Sequence, residues 1–337
     1  MIRAPMGDKR YWEKAVANGW NSIEMAEAQL KVLAGAPTYR AEYVWGLTMD
    51  YPRQTLTQYS RGDAIRQIYN PFPKVLDAWE LSNREAEIIR REHGLEKSRA
   101  WEFRLDYLEH YNWCFWLIGL ALIFDIPDDQ WVRLIALVGG ENEDVLLDRV
   151  IASRQSGRNI GSRLLHKKPY ARLLKAIEAK QDQQAALLKD FVDHWYSELK
   201  RPYNITIWWY NKGDPEINPL EKGSYFGRWC VEAVAVAKVL RIDDSLCLGH
   251  EHYPGDFLRP NGPSTHPNPR AGWIRNVMKN FLAVIAFLVV WGVFPNQWLL
   301  GMGLGAAWVG AAKALTATLA AWWVVGFRRE ATKKTDS

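Results

Sequence analysis

The sequence has few cysteines, no export leader, no strand pattern and no catalytic signature, and each lack narrows the reading. Cys114, Cys230 and Cys247 are three, an odd number that cannot close a full disulfide framework. Two of them fall inside apolar stretches of helical spacing, which predicts buried, reduced thiols in a cytoplasmic domain. The opening MIRAPMGDKRYWEK has no apolar core segment, so no cleavable signal is visible. No apolar–polar alternation of strand length occurs, and the body is expected to be nearly all helical. G-x-S-x-G, the P-loop, HExxH and a glycine fingerprint after a strand are all missing, so neither a catalytic residue nor a cofactor is expected.

An excess of charge on the folded body is also missing. The seven basic residues Arg275, Lys279, Lys313, Arg328, Arg329, Lys333 and Lys334, less Glu330 and Asp336, supply the whole formal charge of +5. Residues 1–274 are therefore neutral overall. A nucleic-acid binder concentrates positive charge on its folded domain, so direct nucleic-acid binding is not expected.

Aromatic residues are plentiful: 18 Trp, 14 Tyr and 11 Phe among 337 residues, enough for a large core with a few left for a partner or a lipid interface. The chain is organised around Gly223–Leu258. Tyr225, Trp229, Ala233, Val236 and Leu240 recur three or four apart and predict a helix with one buried face. Asp243, Asp244 and Ser245 follow as candidate caps for a short helix. A second copy lies upstream. Trp113-Cys114 aligns with Trp229-Cys230, Ala121 with Ala237 and Ile126 with Ile242, all without a gap, which predicts a two-fold-like helical core.

Further helices are predicted over Asp8–Gly35, over a stretch from about Thr38 that carries Tyr43, Val44, Leu47 and, past Pro52, Leu56 and Tyr59, with Pro52 breaking, starting or kinking it, and over Arg61–Asn70, Lys74–Glu92 and Arg99–Phe124. Others run from Asp128 through Val138, over Glu141–Arg149, Pro169–Lys180 and Asp182–Lys200. Trp208-Trp209-Tyr210 is read as part of a connection. The divisions are an amino-terminal domain at 1–98, a carboxyl-terminal domain at 99–260, a linker at 261–274, a hairpin at 275–329 and a basic tail at 330–337.

From Phe281 to Phe327 the only charged side chain is Lys313. Because roughly 20 residues cross a bilayer, this stretch is expected to form two spans turning at Pro295-Asn296-Gln297. Basic flanks at both outer ends place both termini in the cytoplasm. The expected fold class is all-α, a multi-helix cytoplasmic domain with a carboxyl-terminal two-helix transmembrane hairpin in inner-membrane lipid.

Three groups of residues are candidates for chemistry or contact. His250 and His252 could share a side of an extended segment, but no third ligand stands at metal spacing, and no metal is expected. Glu232, a carboxylate in an apolar helix, must be paired or neutralised; Arg228, one turn earlier, is the expected partner, with a raised-pKa acid as the alternative. Glu141, Glu143, Asp144 and Asp148 favour a helix start, or alternatively form an acidic contact patch for a basic partner.

The residues Trp229, Glu232 and Ala233, then Leu240, Ile242, Asp243 and Asp244, then His250, Tyr253, Pro254 and Asp256 resemble the PoNi type of bacterial immunity protein, including its TsiT-like members. That family's carboxyl-terminal domain follows W-x-x-E-A-A, L-x-I-D-D and H-x-x-Y-P-x-D. Tyr59-Ser60-Arg61-Gly62 is similar to the Y-S-x-G of its amino-terminal domain. Glu251 departs from the pattern, standing where the family often has proline, and the hydrophobic tail is not a general family feature.

The resemblance implies a non-enzymatic helical protein that binds a cognate nuclease toxin, of the kind delivered by type VI secretion, and blocks it in the cytoplasm. It makes the matched residues scaffold and leaves the toxin contacts unassigned. The acidic set at 141–148 is the expected contact, because a nuclease presents a basic DNA-binding surface. A membrane-associated helical enzyme or signalling subunit is the alternative, with Glu232, His250 or His252 essential; a homodimer also stays open.

Overall fold

The structure is a computed structural model that describes residues 1–32, 37–94, 103–202, 207–222 and 224–267. Among these, ten α-helices form and no strand does. They are α1 (Lys9–Val32), α2 (Pro37–Arg61), α3 (Phe72–His93), α4 (Leu108–Phe124), α5 (Asp128–Val138), α6 (Val145–Ala152), α7 (Lys167–Glu178), α8 (Gln181–Glu198), α9 (Trp208–Lys212) and α10 (Val231–Leu240).

Helix α4 lies at the centre because its sequence allows nothing else. From Tyr111 to Ile123 every residue is buried, so no face is left for water. It packs along α10, α2 packs on α1 and α3, and α7 packs on α8. Trp113, Trp116, Trp195 and Trp229 are each fully enclosed, and burying a large apolar side chain is worth ~1.5–3 kcal/mol.

The pairing of α4 with α10 realises the internal repeat. Trp116 meets Glu232, Gly119 meets Ala235, and Leu122 receives Lys238, always 116 positions apart and in the same order, so the two helices run parallel. Gly119 permits the approach, since a Cβ there would sit 3.1 Å from Val231 Cγ1 and 3.2 Å from Ala235 Cβ. The helices also end alike. Asp125 and Arg241 both take left-handed backbone, with φ of 49° and 54°. Ile126 N–H then bonds Ala121 O at 3.2 Å and Ile242 N–H bonds Ala237 O at 3.0 Å, closing the same carboxyl-terminal cap twice.

The membrane expectation is corrected. Among the described residues no helix is long and apolar enough to cross a membrane, so the described fold is all-α with no spanning helix. The hairpin at 275–329 and its contact with inner-membrane lipid lie outside the described residues.

Helix α2 continues past Pro52, which gives up one backbone bond to Thr48 O, and Leu56 and Tyr59 lie buried on the core. Other expectations shift locally. Only a single 3-10 turn, Ile65–Gln67, forms where a helix over 61–70 was expected. Trp208-Trp209-Tyr210 opens α9 instead of lying in a loop.

Candidate functional site

Glu232 sits in the first turn of α10, with no exposed surface. Its Oε1 accepts from Asn112 Nδ2 at 2.9 Å, Tyr170 OH at 2.9 Å and Trp195 Nε1 at 3.2 Å, and its Oε2 accepts from Trp116 Nε1 at 3.0 Å. Asn112 is fixed in turn by Trp209 Nε1, which donates to its Oδ1 at 2.9 Å. Burial pushes the Glu232 carboxyl up to about 7, against the pull of these donors.

Arg228 is not its partner. Residues 224–230 are not helical and the helix begins only at Val231, so the spacing of one helical turn does not apply. Arg228 instead pairs with Asp214, its guanidinium 4.6 Å from the Tyr196 ring centre.

The two stretches that carried the resemblance meet in one buried junction. Trp229 Nε1 donates to Ser60 Oγ at 2.7 Å, and Ser60 Oγ donates to Phe226 O at 2.7 Å. Tyr59 stacks on Phe257 at 4.3 Å and stands edge-on to Trp229 at 5.0 Å. Arg3 closes the junction, its Nε 2.5 Å from Asp256 Oδ2 and its Nη1 donating to Tyr59 O at 3.0 Å. Thr265 donates to Asp256 Oδ1 through its amide at 2.5 Å and its hydroxyl at 2.8 Å. His266 Nε2 lies 2.8 Å from Tyr59 OH, and burial pushes this imidazole down to about 4. Gly62 has φ of 99°, and any Cβ there would fall 1.8 Å from Met1 O.

The remaining motif residues are similarly engaged. Asp244 is buried, accepts from Tyr253 OH at 2.7 Å and pairs with Arg259. Asp243 is exposed and caps the following turn, accepting from Ser245 N at 3.0 Å. Pro254 is buried and leads into the 3-10 turn at Gly255–Leu258. His250 Nε2 stands 3.4 Å from Asp193 Oδ1, and His252, held down to about 4 by burial, has Nδ1 3.1 Å from Arg228 O. Among the described residues no group of three or more His, Cys, Asp or Glu stands close enough to hold a metal.

The acidic stretch divides in two. Glu141 and Glu143 are exposed, whereas Asp144 and Asp148 have no exposed surface. Asp144 caps α6 by accepting from Leu146 N and Leu147 N, and also accepts from Tyr111 OH at 2.9 Å and Leu165 N at 2.8 Å. Asp148 pairs with the equally buried Arg158 at 2.6 Å. Arg3, Asn112, Tyr170, Trp195, Asp214 and His266 all take part in these sites without any local signal in the sequence, because each acts on residues far away along the chain.

These contacts define an all-helical protein whose motif residues are nearly all spent in holding the fold. Two family models match it: residues 3–136 fit the amino-terminal domain, and residues 142–257 the carboxyl-terminal domain, of the PoNe immunity proteins (PoNi). The chain belongs to this family. No curated protein matches it. Among solved structures it is similar to protein PA2201 from Pseudomonas aeruginosa, at 17% identity and a TM-score of 0.58 over 77% of this chain and 90% of that one, which is a likeness of fold.

Proposed function

We propose that this chain is an immunity protein that binds a nuclease toxin of the PoNe type in the cytoplasm and neutralises it by occupying it, with no reaction of its own. The reading includes delivery of that toxin by type VI secretion. The observation that carries it is the match of both halves of the chain to the two domains of the PoNe immunity proteins. The geometry agrees, since Trp229, Glu232, Asp244 and Asp256 are turned inward as scaffold and leave the surface free to differ from one toxin to the next. Glu232, the strongest candidate for an acid catalyst, is sealed by four internal donors and has no surface that a substrate could reach.

The test is growth of cells expressing the toxin encoded by the neighbouring gene, with and without the full chain, paired with co-purification of the two proteins. Protection together with a stable complex is the expected result. A well-expressed chain that neither protects nor binds overturns the reading.

A further inference from the structure

An open groove of about 710 Å³ runs between α5 and the turn that follows α6, and its lining includes Val132, Ile135, Ala136, Glu141 and Arg154. Three features set it apart from an ordinary surface depression. Val132 faces solvent with 66% of its surface exposed, beside the exposed Ala136, so the floor is an apolar stripe. Trp131, another wall residue, is 4% exposed, and its buried Nε1 has no hydrogen-bond partner. A buried donor without an acceptor is destabilising, and an acceptor carried by a docked segment offsets that.

The third feature is charge. Asp128, with its side chain 94% exposed, and the exposed Glu141 line the groove, and the cations there are already engaged. Arg154 binds Asp128 and Ile126 O while lying 5.0 Å over the Trp131 ring, and Arg158 is buried against Asp148. The rim therefore presents net negative charge around an apolar floor that has an unspent N–H in its wall.

Resting on the immunity reading, we infer that this groove docks a cationic segment of the toxin. The segment's aliphatic groups cover Val132 and Ala136, its Lys or Arg side chains meet Asp128 and Glu141, and a carbonyl accepts from Trp131. A nuclease has such a segment because it must carry positive charge to hold a phosphate backbone. Opposite charge on the inhibitor then speeds encounter and fixes register.

The test uses the full chain and the toxin encoded by the neighbouring gene, inactivated in its catalytic residues, with affinity measured by calorimetry at two salt concentrations. Val132→Arg, which plants a cation on the apolar floor, is expected to weaken binding by about thirtyfold or more. Glu141→Lys is expected to weaken it by about tenfold and to reduce its dependence on salt. Met25→Arg, at a comparably exposed apolar residue on α1, is expected to bind as wild type. Slowed amide exchange across residues 128–138 and 153–158 in the wild-type complex is expected to mark the same footprint without any substitution. Wild-type affinity in both Val132→Arg and Glu141→Lys, or unchanged exchange there, overturns the groove while the immunity reading stands. Absence of binding by the wild-type chain overturns both.

Discussion

The indole N–H of Trp116 donates to Glu232 Oε2 at 3.0 Å, tying α4 to α10 at the first of the levels where the two helices meet. Three further donors, from Asn112, Tyr170 and Trp195, converge on Oε1. Removing the carboxylate strands all of them in the core and leaves a void. Glu232→Ala is expected to cost about 3–5 kcal/mol, read as a fall in the urea midpoint. A loss below about 1 kcal/mol would mean that this network is not what holds the helix pair together.

The same carboxyl has a distinctive pH dependence. Burial raises it from 4.5 when unfolded to about 7 when folded, so between those values the folded chain holds the extra proton. Its contribution is complete below pH 4.5 and is lost as pH rises through 7, a difference of roughly 3 kcal/mol. His252 and His266 act in the opposite sense. Each is pushed from 6.5 to about 4 by burial, so their contribution is present above 6.5 and lost as pH falls toward 4. The comparison must therefore be made against Glu232→Gln, which keeps both histidines and has no charge to lose. The stability of wild type relative to this variant is expected to fall between pH 5 and pH 8 by about 2.5 kcal/mol, most of that difference. Parallel profiles would show that Glu232 does not titrate in this range.

Most of the helices were legible in the sequence because their apolar residues recur at helical spacing, and the repeat was legible because Trp113-Cys114, Ala121 and Ile126 align without a gap with Trp229-Cys230, Ala237 and Ile242. The partners of buried charge were not. Arg228 stands four residues before Glu232, but the chain is not helical until Val231, so a pairing inferred from helical spacing had no helix to act through. The acids at Glu141 to Asp148 look alike in sequence. Only the tertiary positions of Tyr111, Leu165 and Arg158 separate the buried pair from the exposed one. Pro52 marks one missing backbone bond inside α2, which the burial of that helix outweighs.

The junction of the two motif stretches depends on Arg3. Its ion pair with Asp256 leaves side-chain exposures of only 7% and 3%, so Arg3→Ala would strand a buried carboxylate and is expected to cost about 3–5 kcal/mol. Gly62→Ala strikes the same place by a different route, forcing a Cβ into Met1 O at a left-handed backbone position. Both variants are expected to lower the melting temperature by several degrees and to lose protein in cells, while the folded fraction keeps its affinity for toxin. A selective loss of affinity in stable protein would instead place this junction in the interface.

Asp144 and Glu141 lie three positions apart and should respond in opposite ways. Asp144→Ala removes the acceptor for Tyr111 OH, Leu165 N and two amides at the start of α6, all in the interior, and is expected to destabilise the chain by about 2–4 kcal/mol. Glu141→Gln keeps an oxygen that can accept from Asn159 N and Nδ2 at an exposed site, so its stability is expected to stay within about 0.5 kcal/mol of wild type. Urea unfolding of the two variants beside a toxin-protection assay separates scaffold from surface: Asp144→Ala should lose protection in proportion to lost folded protein, and Glu141→Gln should lose affinity while fully folded. Were Asp144→Ala to fold normally yet fail to protect, its carboxylate would have to reach the toxin, and the enclosure of this side chain by α4 and the loop before α7 would have to open on binding.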